Sequence, residues 1–484
     1  MKTDNSQVAP DAGQPTMTDI SRHDPYAALR FRDCRLLLAG GVLAATGRLM
    51  QSVAVGWELY ERTGSAMALG WVGLVQALPV FLFALPAGHL ADRFDRRRIV
   101  ALMQALIALS SLGLAILSYY HGAIPLIYLC LLLGAIAQAF NGSARTSLLP
   151  QTVPVEAFSN AVIWKSSSYQ VASFVGPALG GLMIAALHGA TPVYVADALL
   201  NLLFAWFATM IHGEQTARST EKLTLRSLAA GIHFVRRTKI ILPAITLDMF
   251  AVLLGGATTL LPIYAKNILQ VGPAGLGWLR AAPAVGAFLM AVTIAHLPPS
   301  RNVGKMLLWA ITGFGVATIL FGISHWFWFS ILMLALTGAF DNVSAVVRHS
   351  LVQLRTPDAM RGRVSAVNNV FVSSSNELGG FESGLVAKLF GTVFSVVSGG
   401  IGTILVVLLT ARFWPEIRQI KSLQHIQPDE GPEPAAVFQP SGKADLAVSA
   451  AEARRVASVP CASGFSKAAV TAAPTSVTLR RGRS

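Results

Sequence analysis

Charge is scarce in this chain. Asp, Glu, Lys and Arg together make up 13% of its 484 residues, against 53% hydrophobic residues, and the mean hydropathy is +0.56. That is about half the charged fraction of an ordinary soluble domain. So little polar surface excludes a water-soluble globule and leaves a polytopic membrane protein. Cysteine is scarcer still: Cys34, Cys130 and Cys461 have no paired spacing, so neither a disulfide framework nor a metal site is expected. Nucleotide and hydrolase motifs are missing as well. Gly304-Lys305 is followed by Met306 and has no glycine five residues earlier, and His-Glu-x-x-His, Gly-x-Ser-x-Gly and Cys-x-x-Cys do not occur. No enzyme activity, ATP-driven pumping or cofactor is expected. The first thirty or so residues are polar and lack the apolar stretch of a signal peptide, so the first apolar run is expected to be an uncleaved anchor.

What the chain has in abundance is long apolar runs. A helix needs about 20 apolar residues to cross a bilayer core. On that rule twelve segments are expected near 35–59, 66–88, 98–119, 124–147, 159–187, 191–211, 240–263, 275–297, 304–324, 326–348, 364–389 and 391–413. The formal net charge is +14, but the cations cluster in connections and tails, which points to inner-leaflet lipid rather than nucleic acid. Arg93, Arg96, Arg97 and Arg98, then Arg218 to Lys239, then Arg355, Arg361 and Arg363 fall in alternate connections. The other connections offer Arg62, Lys266 and Lys388. The positive-inside rule then places both termini in the cytoplasm. Expected parts are a cytoplasmic tail 1–34, a six-helix bundle 35–212, a cytoplasmic linker 213–239, a second bundle 240–413, and a disordered cytoplasmic tail 414–484.

The two bundles repeat each other. Arg145, Ser147, Leu148 and Pro154 recur as Arg348, Ser350, Leu351 and Pro357, and Gly176, Gly181 and Leu182 recur as Gly379, Gly384 and Leu385, all at a step of 203 residues. Leu69-Gly70-Trp71 recurs as Leu276-Gly277-Trp278 at a step of 207. One step held across two helices and a loop argues for duplication into two six-helix halves.

Between the second and third runs the chain reads Gly88-His89-Leu90-Ala91-Asp92-Arg93-Phe94-Asp95-Arg96-Arg97. This resembles the loop between helices 2 and 3 of the major facilitator superfamily, approximately Gly-x-x-x-Asp-Arg-x-Gly-Arg-Arg/Lys. Gly88, Asp92, Arg93, Arg96 and Arg97 match, while Asp95 stands where most of the superfamily has glycine, a change associated with its siderophore and macrolide exporters. Gly176-Pro177-Ala178-Leu179-Gly180-Gly181 looks like the end of the antiporter motif, with Ala172 where the fuller motif has glycine. Asn376 to Gly384, with Thr356-Pro357 and Arg361-Gly362-Arg363, is similar to the siderophore-exporter branch. The resemblance covers roughly residues 28 to 420. It implies an all-α major facilitator fold, a small-molecule substrate, a proton or other coupling ion, and a multi-pass protein of the inner cell membrane, expected as a monomer. The loop would act as a cytoplasmic gate together with Arg145 and Arg348.

Ionisable groups inside spans are costly, about 2.5–3.5 kcal/mol each at a helix centre, so chemistry is sought there. Arg48 lies near mid-depth of the first span, with Gln51 three residues on and sharing its face. Glu377 and Glu382 lie near the middle of the eleventh. Five residues turn a helix through about 140°, so the two cannot serve one partner. Asp248 and Asp341 complete the candidates for substrate binding or proton coupling. Asp341 and Arg348, seven apart, share a helix face and offer an intrahelical charge pair. Lys165 and Asp197 read as structural charges near span ends. Trp57, Trp71, Trp164, Trp278 and Tyr169 are candidates for lining a cavity, with Trp57 and the Trp71/Trp278 pair better placed as membrane-interface residues. The expected function is export of an amphipathic compound such as a siderophore or drug by alternating access. Lysophospholipid flipping or symport is the rival within transport, and a non-transporting sensor or scaffold the rival outside it.

Overall fold

The structure is a computed structural model that describes residues 24–212, 232–236, 238, 241–296 and 302–419. The expectations for the first 23 residues, most of the linker and the tail beyond 419, including Cys461, lie outside the described residues. So do the side chains of Asp92, Arg361 and Arg363.

The described residues form helices and no strand: α1 Arg32–Thr63, α2 Ala66–Arg93, α3 Arg96–Tyr119, α4 Ile124–Leu148, α5 Val155–Leu187, α6 Thr191–Thr209, α7 Ile241–Leu254, α8 Gly272–His296, α9 Val303–Gly322, α10 Phe327–Arg355, α11 Asp358–Phe390 and α12 Thr392–Phe413. Ten helical stretches among the described residues are long and apolar enough to cross a membrane. The other two expected spans correspond to α2, apolar and described as such only over Ala66–Pro79, and α11, which carries Asn376, Glu377 and Glu382.

Sequence sets the helix ends. Gly64, at φ 62°, stops α1 in a left-handed conformation that costs glycine nothing, and Gly391, at φ 96°, separates α11 from α12. Pro154 stands at the N-cap of α5 and Pro357 at that of α11, each with the backbone φ that its ring fixes. α10 runs seven residues past the expected end at 348, so Arg348 is an interior residue rather than a terminal one. α7 breaks at Gly255-Gly256 and resumes as a 3-10 turn Ala257–Leu260 and a π turn Tyr264–Ile268.

The sequence repeat has a direct structural counterpart. Gly181 of α5 lies against Gly277 of α8, and Gly384 of α11 against Gly70 of α2; in each pair a Cβ on the first glycine would stand 2.7 Å from the second glycine's Cα. These two crossings are images of each other under the repeat. Gly176 likewise meets Thr46 and Leu49 of α1, as Gly379 meets Val252 and Leu253 of α7. The first half (α1–α6) and the second (α7–α12) share one apolar cluster at the Tyr60 end, containing Tyr60, Leu69, Tyr194, Leu261, Leu276 and Ala387. At the Arg97 end each half keeps its own: Leu37, Ile99, Leu148 and Phe204 in the first, Leu247, Leu307 and Val347, or Ile241, Val352 and Val364, in the second.

Candidate functional site

Between the halves lies a cavity of about 400 Å³, within the range that holds drug-sized ligands. Five helices carry ionisable or amide side chains into it from both halves: Arg48 and Gln51 on α1, Gln76 on α2, Gln138 on α4, Arg280 on α8, and Asn376 and Glu377 on α11, with Asp197 of α6 behind them. Gly47 makes room for that aspartate, since a Cβ there would sit 3.2 Å from the Asp197 Cα. Gln51 Nε2 donates to Ser111 Oγ at 3.0 Å. The Ser111 hydroxyl donates to Asp197 Oδ2 at 2.6 Å, and Asn201 Nδ2 donates to Asp197 Oδ1 at 2.7 Å. Both carboxylate oxygens of Asp197 are thereby satisfied without a cation. Asp197 is in the site, whereas its sequence position suggests a span end: α6 is short, and a residue seven from its start already reaches the cavity.

The structure brings Arg48, Gln51 and Glu377 together and leaves out the other ionisable candidates. Glu382 turns away, its Oε2 3.4 Å from Ser383 Oγ, as the five-residue spacing requires. Asp248 is buried in an ion pair with Arg348 across α7 and α10. The pair expected from spacing, Asp341 with Arg348, does not form. Both lie on one helix, but α7 supplies a nearer carboxylate, and Asp341 instead faces a narrow crevice with Phe314, Phe340 and Ser344. Arg145, the repeat image of Arg348, has a different environment: its guanidinium abuts Gly41 and stands 5.5 Å from the Phe204 ring centroid. Of the aromatic candidates Tyr169 lines the cavity. Trp57 is buried beneath Lys266 at 6.0 Å, a correction to its interfacial reading, and Trp164 donates to the Pro25 carbonyl at 2.9 Å.

Two elements escaped sequence reasoning. Arg280, eight residues into α8, faces the same cavity as Arg48, and a charge that deep in an apolar run is the signal that exposes it. The charges of Arg48 and Arg280 both bear on Glu377. Neither closes an ion pair with it within 4.0 Å among the described residues. The second element is Glu58, buried in α1, which accepts from Tyr194 Oη at 2.9 Å and pairs with Arg62 at 3.1 Å, while Arg62 also donates to the Gly122 carbonyl. Asn267 Nδ2 donates to Tyr60 Oη and ties the halves together at this end.

At the Arg97 end, Asp95 explains its own departure from glycine. Its Oδ1 caps α3 by accepting from Arg97 N at 3.0 Å, and its carboxylate holds the Arg97 guanidinium at 3.0 Å. The hydrogen bond from Arg97 holds the Asp95 carboxyl below the usual carboxylate range. Arg97 also donates to the Ile211 carbonyl at 2.8 Å and Arg96 to the Ser147 carbonyl at 3.2 Å, so both arginines bind their own half. Arg93 lies exposed with its guanidinium 5.9 Å from the Phe94 ring centroid. Among the described residues, no heavy atom beyond its own stretch of helix lies within 4 Å of where a Cβ on Gly88 would stand. The gate expectation for Asp92 falls on a side chain outside the described residues. In the α5 motif Gly180 faces Met50 of α1, where a Cβ would stand 2.9 Å from the Met50 Cα, and the Pro177 carbonyl faces Gly277.

A sequence model of the family described as transmembrane secretion effector matches residues 23–445. The multidrug efflux pump Tap of Mycobacterium tuberculosis is 27% identical over 357 residues, covering 71% of this chain and 84% of Tap. The enterobactin exporter EntS of Escherichia coli is 24% identical over 375 residues, 76% of this chain and 88% of EntS. Among solved structures, a bacterial homologue of the human lysosomal transporter Spinster, inward-facing and occupied, superposes with a TM-score of 0.64 at 14% identity. It covers 82% of this chain and 98% of that one. A peptide transporter of the POT family superposes at 0.66 with 12% identity, covering 81% and 96%.

Proposed function

This chain belongs to the transmembrane secretion effector family of the major facilitator superfamily, and we propose that it is a proton-coupled exporter of an amphipathic organic compound. It is a transporter rather than an enzyme, and a multi-pass protein of the inner membrane. In the proposed arrangement α2 and α11 cross the bilayer too, giving twelve spans with both termini cytoplasmic, as the arginine-rich connections favour. The Tyr60 end then faces outward and the Arg97 end the cytoplasm.

The observation that carries this reading is the cavity: charged groups from both halves meet in one space, and at its Tyr60 end the halves are joined by backbone-to-backbone glycine crossings. On this reading the conformation is inward-facing. Substrate enters from the cytoplasm, the halves rock, the glycine crossings part, and the Arg97-end loop closes behind it as a latch, with Asp92, Arg93, Arg145 and Arg348 at the gate. Glu377 is the proposed proton site, with Asp248, Asp341 and Glu382 as the alternatives. A carboxylate out of water favours its neutral form, and one proton moving inward supplies about 2.3 kcal/mol per 100 mV. The names of Tap and EntS support a drug or siderophore as cargo. Protein–lipid contacts and a monomeric state belong to the same proposal. The test is efflux from bacterial cells stripped of their own exporters and preloaded with a fluorescent dye: expression of this chain should speed dye loss, and a protonophore should abolish the gain. Dye loss identical with and without the protein, across cationic, neutral and anionic dyes, overturns the reading.

A further inference from the structure

The cavity holds two guanidinium groups with no counter-charge bonded to either. Arg48 is exposed within it, Arg280 reaches it from the opposite half, and among the described residues neither makes an ion pair or a side-chain hydrogen bond. Asp197 closes no ion pair within 4.0 Å: its oxygens accept from Ser111 and Asn201, and the Arg48 charge acts on it without contact. Among the described residues Glu377 is the one carboxylate on which both cations bear, and they do so without contact. The Arg48 backbone and the Arg280 guanidinium stand at different levels. Arg280 Nη1 lies 3.8 Å from the place of a Cβ on Gly56, and Gly56 is eight residues beyond Arg48 on α1, about 12 Å along the helix. Between those levels the wall carries neutral amides, Gln51, Gln76, Gln138 and Asn376, and apolar side chains such as Val72 and Leu131. An unpaired guanidinium in a membrane interior is expensive, and such groups are retained where a water-filled path or an anion compensates them.

We propose that the cavity takes an organic anion, its acidic group drawn by the charges of Arg48 and Arg280 and its apolar body against the Val72–Leu131 wall. The proposal rests on reading the cavity as the transport site and names the charge class of the cargo. Guanidinium forks suit carboxylate, sulfonate and phenolate oxygens, which accept charge-assisted hydrogen bonds in pairs. A drug-sized space with apolar walls favours an organic anion over a small inorganic one. Glu377 is then a competitor: ionised, its charge offsets that of the arginines; neutral, it leaves that charge to the ligand.

Two probes sharing one ring scaffold isolate the charge: 8-anilinonaphthalene-1-sulfonate and the uncharged N-phenyl-1-naphthylamine. Binding is measured on the full chain in lipid nanodiscs, with empty nanodiscs subtracted. The wild type should bind the sulfonate at least about tenfold tighter than the neutral probe, the size of one charge-assisted contact. Arg48→Gln and Arg280→Gln should each remove most of that preference while leaving the neutral probe within about twofold. Glu377→Gln should strengthen sulfonate binding. Should a glutamine variant lose the neutral probe too, Arg280→Lys decides, since it keeps the charge and should keep the preference. Equal affinities in the wild type, a preference that survives both glutamine variants, or a Lys variant that binds the neutral probe without preference overturns the proposal. Dye export by a wild type that shows no anion preference would sink the anion assignment and spare the exporter. Anion preference in a protein that exports nothing would do the reverse.

Discussion

Gly181 of α5 and Gly277 of α8 cross with their backbones in contact, so that a Cβ on Gly181 would lie 2.7 Å from the Gly277 Cα. The obstacle is backbone, not the end of a flexible side chain. Gly181→Leu should therefore part the two helices at the Tyr60 end, at an overpacking cost of about 1–3 kcal/mol. The expected outcome is a lower melting temperature, loss of transport, and greater labelling of a cysteine placed at Asn267. Normal transport with an unchanged melting curve would show that the contact has no mechanical role.

The Asp248–Arg348 pair is buried on both sides, each side chain about 5% exposed. Removing one partner leaves an uncompensated charge, so Asp248→Asn should cost about 3–5 kcal/mol, whereas Asp248→Leu combined with Arg348→Met should recover most of it. Melting of the single and double variants in one detergent checks this. A double variant no more stable than Asp248→Asn would contradict it.

Asp95 gives a pH-dependent contribution whose sign is fixed. Its carboxyl is held below the ordinary range by Arg97, so the stabilisation is complete above the unfolded value of about 3.9 and is lost as pH falls through the lower folded value. Asp95→Ala should lower stability by about 1 kcal/mol, the worth of an N-cap, with a deficit constant from pH 8 to pH 5. Melting across that range checks it, and a deficit that closes by pH 6 would contradict it.

Some of this molecule was legible in the sequence and some could not be. Apolar runs located the helices because bilayer thickness fixes their length. The ends of α10 and α11 moved by about two turns because Arg348 and Arg361 mark charge rather than a helix stop. The repeat announced Gly70, Gly181, Gly277 and Gly384 as equivalent but not that they meet in crossed pairs, which depends on the halves facing each other. Spacing offered Asp341 to Arg348, yet the partner came from α7, and nothing along a single helix names its neighbour. Arg280 was readable by the rule that found Arg48. Its place opposite Glu377 needed the fold.

The central claim is that a proton gradient drives export through this cavity, with Glu377 as the proton site. Proteoliposomes loaded with a transported dye and given an imposed pH gradient test it most directly. The wild type should move dye uphill and stop when nigericin collapses the gradient, while a stable Glu377→Gln protein should lose gradient-driven movement by about tenfold or more and retain dye exchange at equilibrium. Full gradient-driven export by a stably folded Glu377→Gln protein would contradict the account and move the proton to Asp248, Asp341 or Glu382.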